Sequence, residues 1–153
     1  MKRWPARLAA LIATAIAAVA ATATPAHAVE PVDYVALGDS YSSGTGAPPY
    51  QDIGCLRSSR SYAALWASTH AVSSFAFAAC GGATTSDVLN SQLGALNANT
   101  DLVTITIGGN DVGFASVMTA CTLGGDSTCI NAVNQAMAEA QTILPARLDA
   151  TYA

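Results

Sequence analysis

Three short segments of the chain place glycine beside a residue with polar chemistry, each directly after an apolar run. Ser40 follows Gly38 and Asp39, the pair Gly81-Gly82 follows the second run, and Asn110 follows the third. A serine hydroxyl becomes a nucleophile only when a base takes its proton, and an attacked carbonyl needs hydrogen-bond donors for its growing negative charge. Glycine lets a backbone N–H approach a ligand closely, and asparagine offers an amide N–H. Together these residue types fit acyl transfer.

Taken singly, each segment has an ordinary structural explanation. Gly-Asp-Ser is a common turn tripeptide, and a serine at the end of a strand is more often a helix cap than a nucleophile. Gly81-Gly82 and Gly109-Asn110 are typical turn pairs. The functional interpretation depends on their order, because each segment follows one of three successive predicted strands.

Those strands are "VDYVALG", "SSFAFAACGG" and "DLVTITIGGN", apolar runs that end in small turn residues. Between them, "RSYAALWASTH" and "TTSDVLNSQLGAL" have helical spacing of apolar residues, and Thr85 or Ser86 is a plausible start of the second helix. Alternating strands and helices predict a parallel sheet covered by helices on both faces. All three glycine segments then reach the carboxyl edge of the sheet, where ligands bind in such folds.

Beyond the third strand the pattern is helical, with a predicted loop "TLGGDS" between Cys121 and Cys129 and a kink at Pro145. No further strand follows, so the third strand is expected to be an open apolar edge. The predicted fold is therefore a three-layer α/β/α domain with a flavodoxin-like parallel sheet that is incomplete at its C-terminal side.

The first 28 residues read as a signal peptide. Basic residues precede an uncharged alanine-rich run, and Ala26, His27 and Ala28 form a small-x-small cleavage pattern. A retained membrane anchor is the alternative, but the apolar run is shorter than the roughly 20 residues that a spanning helix needs. We therefore expect residues 29–153 to be one secreted domain with no integral membrane segment after cleavage.

Charge disfavours nucleic acid as a partner. Residues 29–153 keep only three basic residues, Arg57, Arg60 and Arg147, against all 10 acidic residues of the chain. We interpret this acidity as a source of solubility outside the cell rather than as a sign of a cationic substrate.

The four cysteines, Cys55, Cys80, Cys121 and Cys129, contain no C-x-x-C pair of the kind found in metal or redox sites. In an exported chain they are expected to form disulfides, for which three pairings are possible. Cys55 with Cys80 and Cys121 with Cys129 would close the two shortest loops that do not overlap. The loop-entropy relation gives these two bonds about 3.5 and about 2.5 kcal/mol. No metal and no organic cofactor is expected.

The sequence resembles the SGNH (GDSL-type) hydrolases, and particularly their secreted, disulfide-bonded bacterial lipases and esterases. "VALGDSYSSGTG", "ACGGATTSDVL" and "TITIGGNDVGF" are similar to the first three family blocks. The resemblance implies Ser40 as the nucleophile and as an oxyanion donor through its own N–H, with Gly82 and Asn110 as the other two donors. Its cysteine spacings also favour the two pairings given above. Asp39 is expected to hold the turn, and Asp111 to start a helix.

The family's general base is a histidine in a later Asp-x-x-His block, and nothing in this chain matches it. His27 belongs to the predicted signal peptide. His70 ends the first helix, so it should enter at the amino edge of the sheet, well over 15 Å from Ser40 and far beyond hydrogen-bond reach.

The expected function is therefore that of a secreted serine ester hydrolase acting on small-molecule or lipid esters. The chain as printed is expected to be an inactive fragment of that enzyme, which would be a monomer when complete. A secreted module that binds lipid or carbohydrate esters without cleaving them is one alternative, and a carbohydrate acetylesterase is another.

Overall fold

The structure is a computed structural model in which residues 30–153 are described. The predicted signal peptide, residues 1–28, lies outside the described residues. The predicted domain, residues 29–153, is described from residue 30 onward. The strands are β1 Val32–Gly38, β2 Tyr50–Asp52, β3 Arg57–Ser58, β4 Val72–Phe77 and β5 Leu102–Thr106. The α-helices are α1 Ser40–Ser43, α2 Tyr62–Thr69, α3 Thr85–Asp87, α4 Phe114–Leu123, α5 Gly125–Thr142 and α6 Leu144–Tyr152. Shorter helical segments are a π-helical turn, Val88–Gln92, and two 3₁₀ turns, Leu93–Ala95 and Asn110–Val112.

The main sheet is parallel, as predicted, with the strand order β4-β1-β5. Tyr34 of β1 lies opposite Phe75 on one side and Leu102 on the other. Because β1 is central, its carboxyl end lies between those of β4 and β5. Among the described residues β5 is an edge strand, and Val103 on it is exposed.

Helical segments cover both faces of this sheet because side chains of β1 alternate between them. Tyr34 packs with Ala63 of α2 on one face, whereas Leu37 packs with Val88 of the π-helical turn on the other. All four of these residues are buried. The α/β fold with a parallel sheet and two helical layers is therefore confirmed.

Two local features differ from the sequence prediction. β2 and β3 form a small antiparallel hairpin that was not predicted, because strands of 3 and 2 residues are too short to show an alternating pattern. The expected loop between Cys121 and Cys129 is wrong: helix α4 ends at Leu123, helix α5 begins at Gly125, and Gly124 alone separates them. Gly125 has a φ of 73°, which lets the chain change direction within one residue.

The predicted kink near Pro145 is present. Helix α5 ends at Thr142, and α6 begins at Leu144 with Pro145 in its first turn. A proline is tolerated there because the N–H groups of a first turn have no helical acceptor.

The structure joins Cys55 to Cys80 and Cys121 to Cys129 by disulfide bonds. No helix within residues 30–153 is long and apolar enough to cross a membrane. The same part of the chain contains no cluster of three or more His, Cys, Asp or Glu side chains placed to hold a metal ion.

Candidate active site

Ser40 is the first residue of α1 and follows the capping residue Asp39. Its carbonyl oxygen accepts hydrogen bonds from the N–H groups of Gly44 and Thr45. The N–H groups in the first turn of a helix have no acceptor within that helix, so the fold offers the Ser40 N–H to an external acceptor. The residue is half-buried, which leaves it reachable from outside.

Asp39 holds the turn that carries Ser40. One oxygen of its buried carboxylate accepts hydrogen bonds from the Tyr41 N–H at 3.0 Å and from the Thr106 hydroxyl at 2.7 Å. The first bond caps helix α1, and the second ties the turn to the end of β5. Asp39 therefore has the structural role expected from the sequence.

Gly82 differs from its neighbours in having an N–H that is not used within the loop. The N–H of Gly81 donates to the Cys55 carbonyl at 2.9 Å, and that of Ala83 donates to the Cys80 carbonyl at 3.1 Å. Gly82 is exposed, its φ is 87°, and a Cβ atom added to it would meet nothing within 4 Å. The open space around it and the engagement of both neighbouring N–H groups support Gly82, rather than Gly81, as an oxyanion donor.

Asn110 begins the 3₁₀ turn that follows β5, and its amide is anchored beside Gly82. The Asn110 Nδ2 donates to the Ala83 carbonyl at 2.8 Å. A side-chain amide has two N–H bonds, so this contact fixes the orientation of the group and leaves a second N–H for a ligand. The local geometry is compatible with the predicted role of Asn110 as an oxyanion donor.

Backbone hydrogen bonds join the three loop ends at the carboxyl edge of the sheet. The Cys80 N–H donates to the Gly38 carbonyl at 3.0 Å, which links the Gly82 loop to the Ser40 turn. The Asp39 N–H donates to the Thr106 carbonyl at 2.9 Å, which links the same turn to β5. The structure therefore brings the segments of Ser40, Gly82 and Asn110 to one edge, as the strand order requires.

A cavity of about 370 Å³ adjoins Gly82. Arg57 and Gln92 line it, as does Asp87. Hydrogen bonds from Thr84 hold the pKa of the Asp87 carboxyl below its usual range, so this side of the cavity carries a negative charge at neutral pH. Arg57, on the same lining, forms an ion pair with Asp52.

Asp111 is not placed as a catalytic acid. Its side chain is only 1% exposed, and its carboxylate accepts hydrogen bonds from both the N–H and the hydroxyl of Thr85. Arg147 of α6 forms an ion pair with it at 3.2 Å. Asp111 lies in the first turn of the 3₁₀ helix Asn110–Val112, close to the expected helix start. Its hydrogen bonds, however, stabilise the beginning of α3, and its ion pair holds α6 in place.

His70 lies at the opposite edge of the sheet from Ser40. It follows α2 and precedes β4, whose first residue Val72 pairs with Val32 at the start of β1. β1 has 7 residues, so at about 3.3 Å per residue the imidazole is about 20 Å or more from the Ser40 hydroxyl. The ring stacks on Trp66, and its Nδ1 lies 2.8 Å from the Trp66 carbonyl. His70 is the only histidine among the described residues, so this part of the chain offers no histidine base within reach of Ser40.

Sequence reasoning missed two residues that support the site. Gln92 binds the backbone of Gly38, and Thr106 binds Asp39. Gln92 occurs in an amphipathic helical pattern, where a glutamine reads as a surface residue. Thr106 occupies an ordinary position near the end of a strand. Neither carried a signal in the sequence, because both contacts depend on residues more than 50 positions away in the chain.

Solved structures share this arrangement of strands and helices over part of their length. An extracellular lipase from Streptomyces rimosus matches with a TM-score of 0.77 and 55% identity, covering 79% of this chain and 53% of that one. A phospholipase A1 from Streptomyces albidoflavus matches with a TM-score of 0.77 and 54% identity, covering 80% of this chain and 52% of that one. The fold is thus that of the SGNH class of lipases.

Residues 36–152 match the GDSL-like lipase/acylhydrolase family, and the chain belongs to that family. Lipase 1 of Streptomyces coelicolor is 47% identical over 150 residues, which are 95% of this chain and 56% of that protein. The chain spans about half the length of the curated relatives it matches. The resemblance stated from the three sequence blocks is confirmed at the level of the family, whose members are carboxylic-ester hydrolases.

Proposed function

We propose that this chain is the N-terminal part of a secreted ester hydrolase that acts on lipid esters through an acyl-enzyme on Ser40. The observation that carries the proposal is the pair of anchored donors beside the serine turn. Gly82 has the one N–H in its loop segment that is not used locally, and the Asn110 amide is fixed to the next peptide by its bond to Ala83. Lipid esters are proposed as substrates because the two matching solved structures, at 55% and 54% sequence identity, are a lipase and a phospholipase A1.

In this reaction the Ser40 oxygen attacks the ester carbonyl carbon while its proton passes to a base outside residues 30–153. The Ser40 N–H, the Gly82 N–H and the Asn110 amide donate hydrogen bonds to the oxyanion that forms. The intermediate collapses by breaking the carbon–oxygen bond to the alcohol, which leaves with the proton. Water then attacks the acyl-enzyme, releases the acid and restores the Ser40 hydroxyl.

Secretion is proposed from the N-terminal residues and the disulfides. Residues 1–28 have the composition of a signal peptide, and two disulfide bonds are typical of an oxidising compartment. Residues 29–153 would then form part of the hydrolase domain. A gene that continues in frame beyond codon 153 to an Asp-x-x-His segment would support this assignment.

A chimera tests the catalytic proposal directly. The chain is fused to the portion of the Streptomyces rimosus lipase that lies beyond the matched region, and hydrolysis of p-nitrophenyl esters of several chain lengths is measured. The chimera is expected to hydrolyse these esters, and Ser40→Ala is expected to remove turnover. Ser127→Ala, an exposed serine on α5, is the matched control and should retain it.

A folded chimera whose turnover survives Ser40→Ala would contradict the proposal. A folded chimera that binds an ester saturably but never releases alcohol would favour the alternative of a binding module. Cooperative thermal unfolding, followed by circular dichroism, establishes folding in both cases.

A further inference from the structure

Gly38 ends the central strand in a conformation that needs external support. Its φ is 116°, and a Cβ atom added to it would lie 2.2 Å from the Thr106 carbonyl oxygen, so only glycine fits. Glycine, however, has the least restricted backbone of any residue. Gly38 is two residues before Ser40, so its φ and ψ angles set the direction in which the serine turn leaves the sheet.

A single side chain holds both sides of Gly38. The Gln92 Oε1 accepts a hydrogen bond from the Gly38 N–H at 2.7 Å, and the Gln92 Nε2 donates one to the Gly38 carbonyl at 2.9 Å. Both bonds are buried, and Gln92 is only 4% exposed. The two bonds flank the Gly38 Cα atom and therefore restrain both of its backbone dihedral angles.

Gln92 accepts the hydrogen bond from the Gly38 N–H at a point where β4 has already ended. Beyond Phe77 the chain leaves the regular ladder, since the N–H groups of Ala78 and Ala79 both donate to the Ala36 carbonyl. The amide of Gln92 therefore acts as a substitute for a backbone peptide at the end of β1. It comes from a π-helical turn, a feature that is frequent at functional sites.

The same group is connected to the Gly82 loop. The Gly38 carbonyl accepts from the Cys80 N–H as well as from Gln92, and Gln92 lines the cavity that adjoins Gly82. From this geometry we infer that Gln92 is a positioning residue, which fixes the Ser40 turn relative to the Gly82 loop by holding Gly38. The inference rests on the proposed function in so far as it regards Ser40 and Gly82 as parts of one catalytic site.

The test uses residues 29–153, labelled with ¹⁵N. Amide exchange rates and chemical shifts are measured by NMR. Gln92→Leu keeps much of the side-chain volume but removes both hydrogen bonds. We expect the Gly38 N–H to exchange at least tenfold faster, with no comparable change at Val35 in the same strand. We also expect the Ser40 and Gly82 amide signals to shift or broaden. Gln135→Leu, which removes a surface hydrogen bond to Glu139, is the matched control and should leave these signals in place.

A second variant gives a signature that a purely stabilising residue would lack. In Gln92→Glu, a neutral carboxylic acid can accept from the Gly38 N–H and donate to its carbonyl, whereas a carboxylate can only accept. The Ser40 and Gly82 signals should therefore move towards their wild-type positions as the pH is lowered, with a single shared midpoint. This titration also decides the question if Gln92→Leu does not fold.

Two outcomes would overturn the inference. One is that the Ser40 and Gly82 signals of Gln92→Leu move no further than those of the control. The other is that exchange at Gly38 and Val35 accelerates by the same factor, which would indicate global destabilisation only. Because neither readout uses ester turnover, a failure here is distinguishable from a failure of the proposed hydrolase activity.

Discussion

Gly38 and Gly46 both have positive φ angles, but only Gly38 is crowded. The φ of Gly38 is 116° and that of Gly46 is 90°. An added Cβ at Gly38 would collide with backbone atoms of Thr106, whereas at Gly46 it would meet nothing within 4 Å. The two glycines therefore separate the cost of the backbone conformation from the cost of the close contact beneath the serine turn.

Alanine at each position is expected to destabilise the protein by different amounts. Gly46→Ala should lower the free energy of unfolding by about 1–2 kcal/mol, the cost of a side chain in a left-handed conformation. Gly38→Ala should lower it by about 4 kcal/mol or more, because the rigid backbone of Thr106 cannot move aside. Urea unfolding of both variants measures the difference. Equal losses would show that the backbone of Thr106 moves aside for the added methyl group at little cost.

Helix α3 begins at Thr85, one of the two starts that the sequence predicts. Its capping residue is Thr84, which forms a capping box with Asp87 that the sequence analysis does not predict. The Asp87 carboxylate accepts hydrogen bonds from both the N–H and the hydroxyl of Thr84. These bonds lower the pKa of Asp87, the bond from the hydroxyl having the larger effect.

Thr84→Val is expected to raise the pKa of Asp87 towards its ordinary value of about 4. In the wild type the pKa of Asp87 is lower in the folded state than in the unfolded state. The stability that the Asp87 hydrogen bonds contribute is therefore fully present above the unfolded-state pKa and is lost as the pH falls through the folded-state pKa. The stability of the wild type should therefore fall more steeply than that of the variant between pH 5 and pH 2. An NMR titration of the Asp87 carboxyl carbon and urea unfolding at several pH values measure both effects. Thr122→Val, on exposed helix α4, is the control, and an unchanged pKa in Thr84→Val would contradict the assignment.

The elements that the sequence predicted are those whose cause is local. Apolar runs that end in glycine predicted the three parallel strands. Apolar residues spaced three and four positions apart predicted helices on both faces of the sheet. The placement of Ser40, Gly82 and Asn110 at one edge follows directly, since parallel strands end at the same side. The choice of Gly82 over Gly81 came from resemblance alone. The structure adds a physical reason, because the Gly81 N–H is already bonded to Cys55.

Features that depend on distant partners could not be predicted from the sequence. Gln92 looks like a surface residue until its partner, 54 positions earlier, is known. The Gly124-Gly125 pair predicted a loop, yet Gly124 alone separates the two helices. The chain changes direction there because Gly125 adopts a φ of 73°, and helix α5 starts at that residue with Asp126 in its first turn. A tertiary contact therefore decides the role of Gln92, whereas a backbone conformation that only the structure reveals decides the turn at Gly125.

Among the described residues, Ser40, the proposed nucleophile, and the only histidine, His70, are separated by the length of the sheet. Ser40 lies beyond the carboxyl end of β1, and His70 lies before the amino end of β4. His70 also binds the Trp66 carbonyl and stacks on its ring, so it is held at its own edge. The described part of the chain therefore presents a serine and candidate oxyanion donors without a histidine in reach.

The purified chain is accordingly expected to show no Ser40-dependent hydrolysis of p-nitrophenyl esters on its own, because general-base assistance typically accounts for about 10² to 10⁴ in rate. Added imidazole can approach the half-buried serine from solvent, so a rate that rises with imidazole concentration is expected above the background reaction of imidazole itself. Ser40→Ala should return the rate to that background, and Ser127→Ala should not.

Turnover without added base that Ser40→Ala abolishes would show that another group of this chain activates the serine. A rate with imidazole that is the same in both variants would mean that the Ser40 turn and its neighbouring donors do not form a reactive site in this chain.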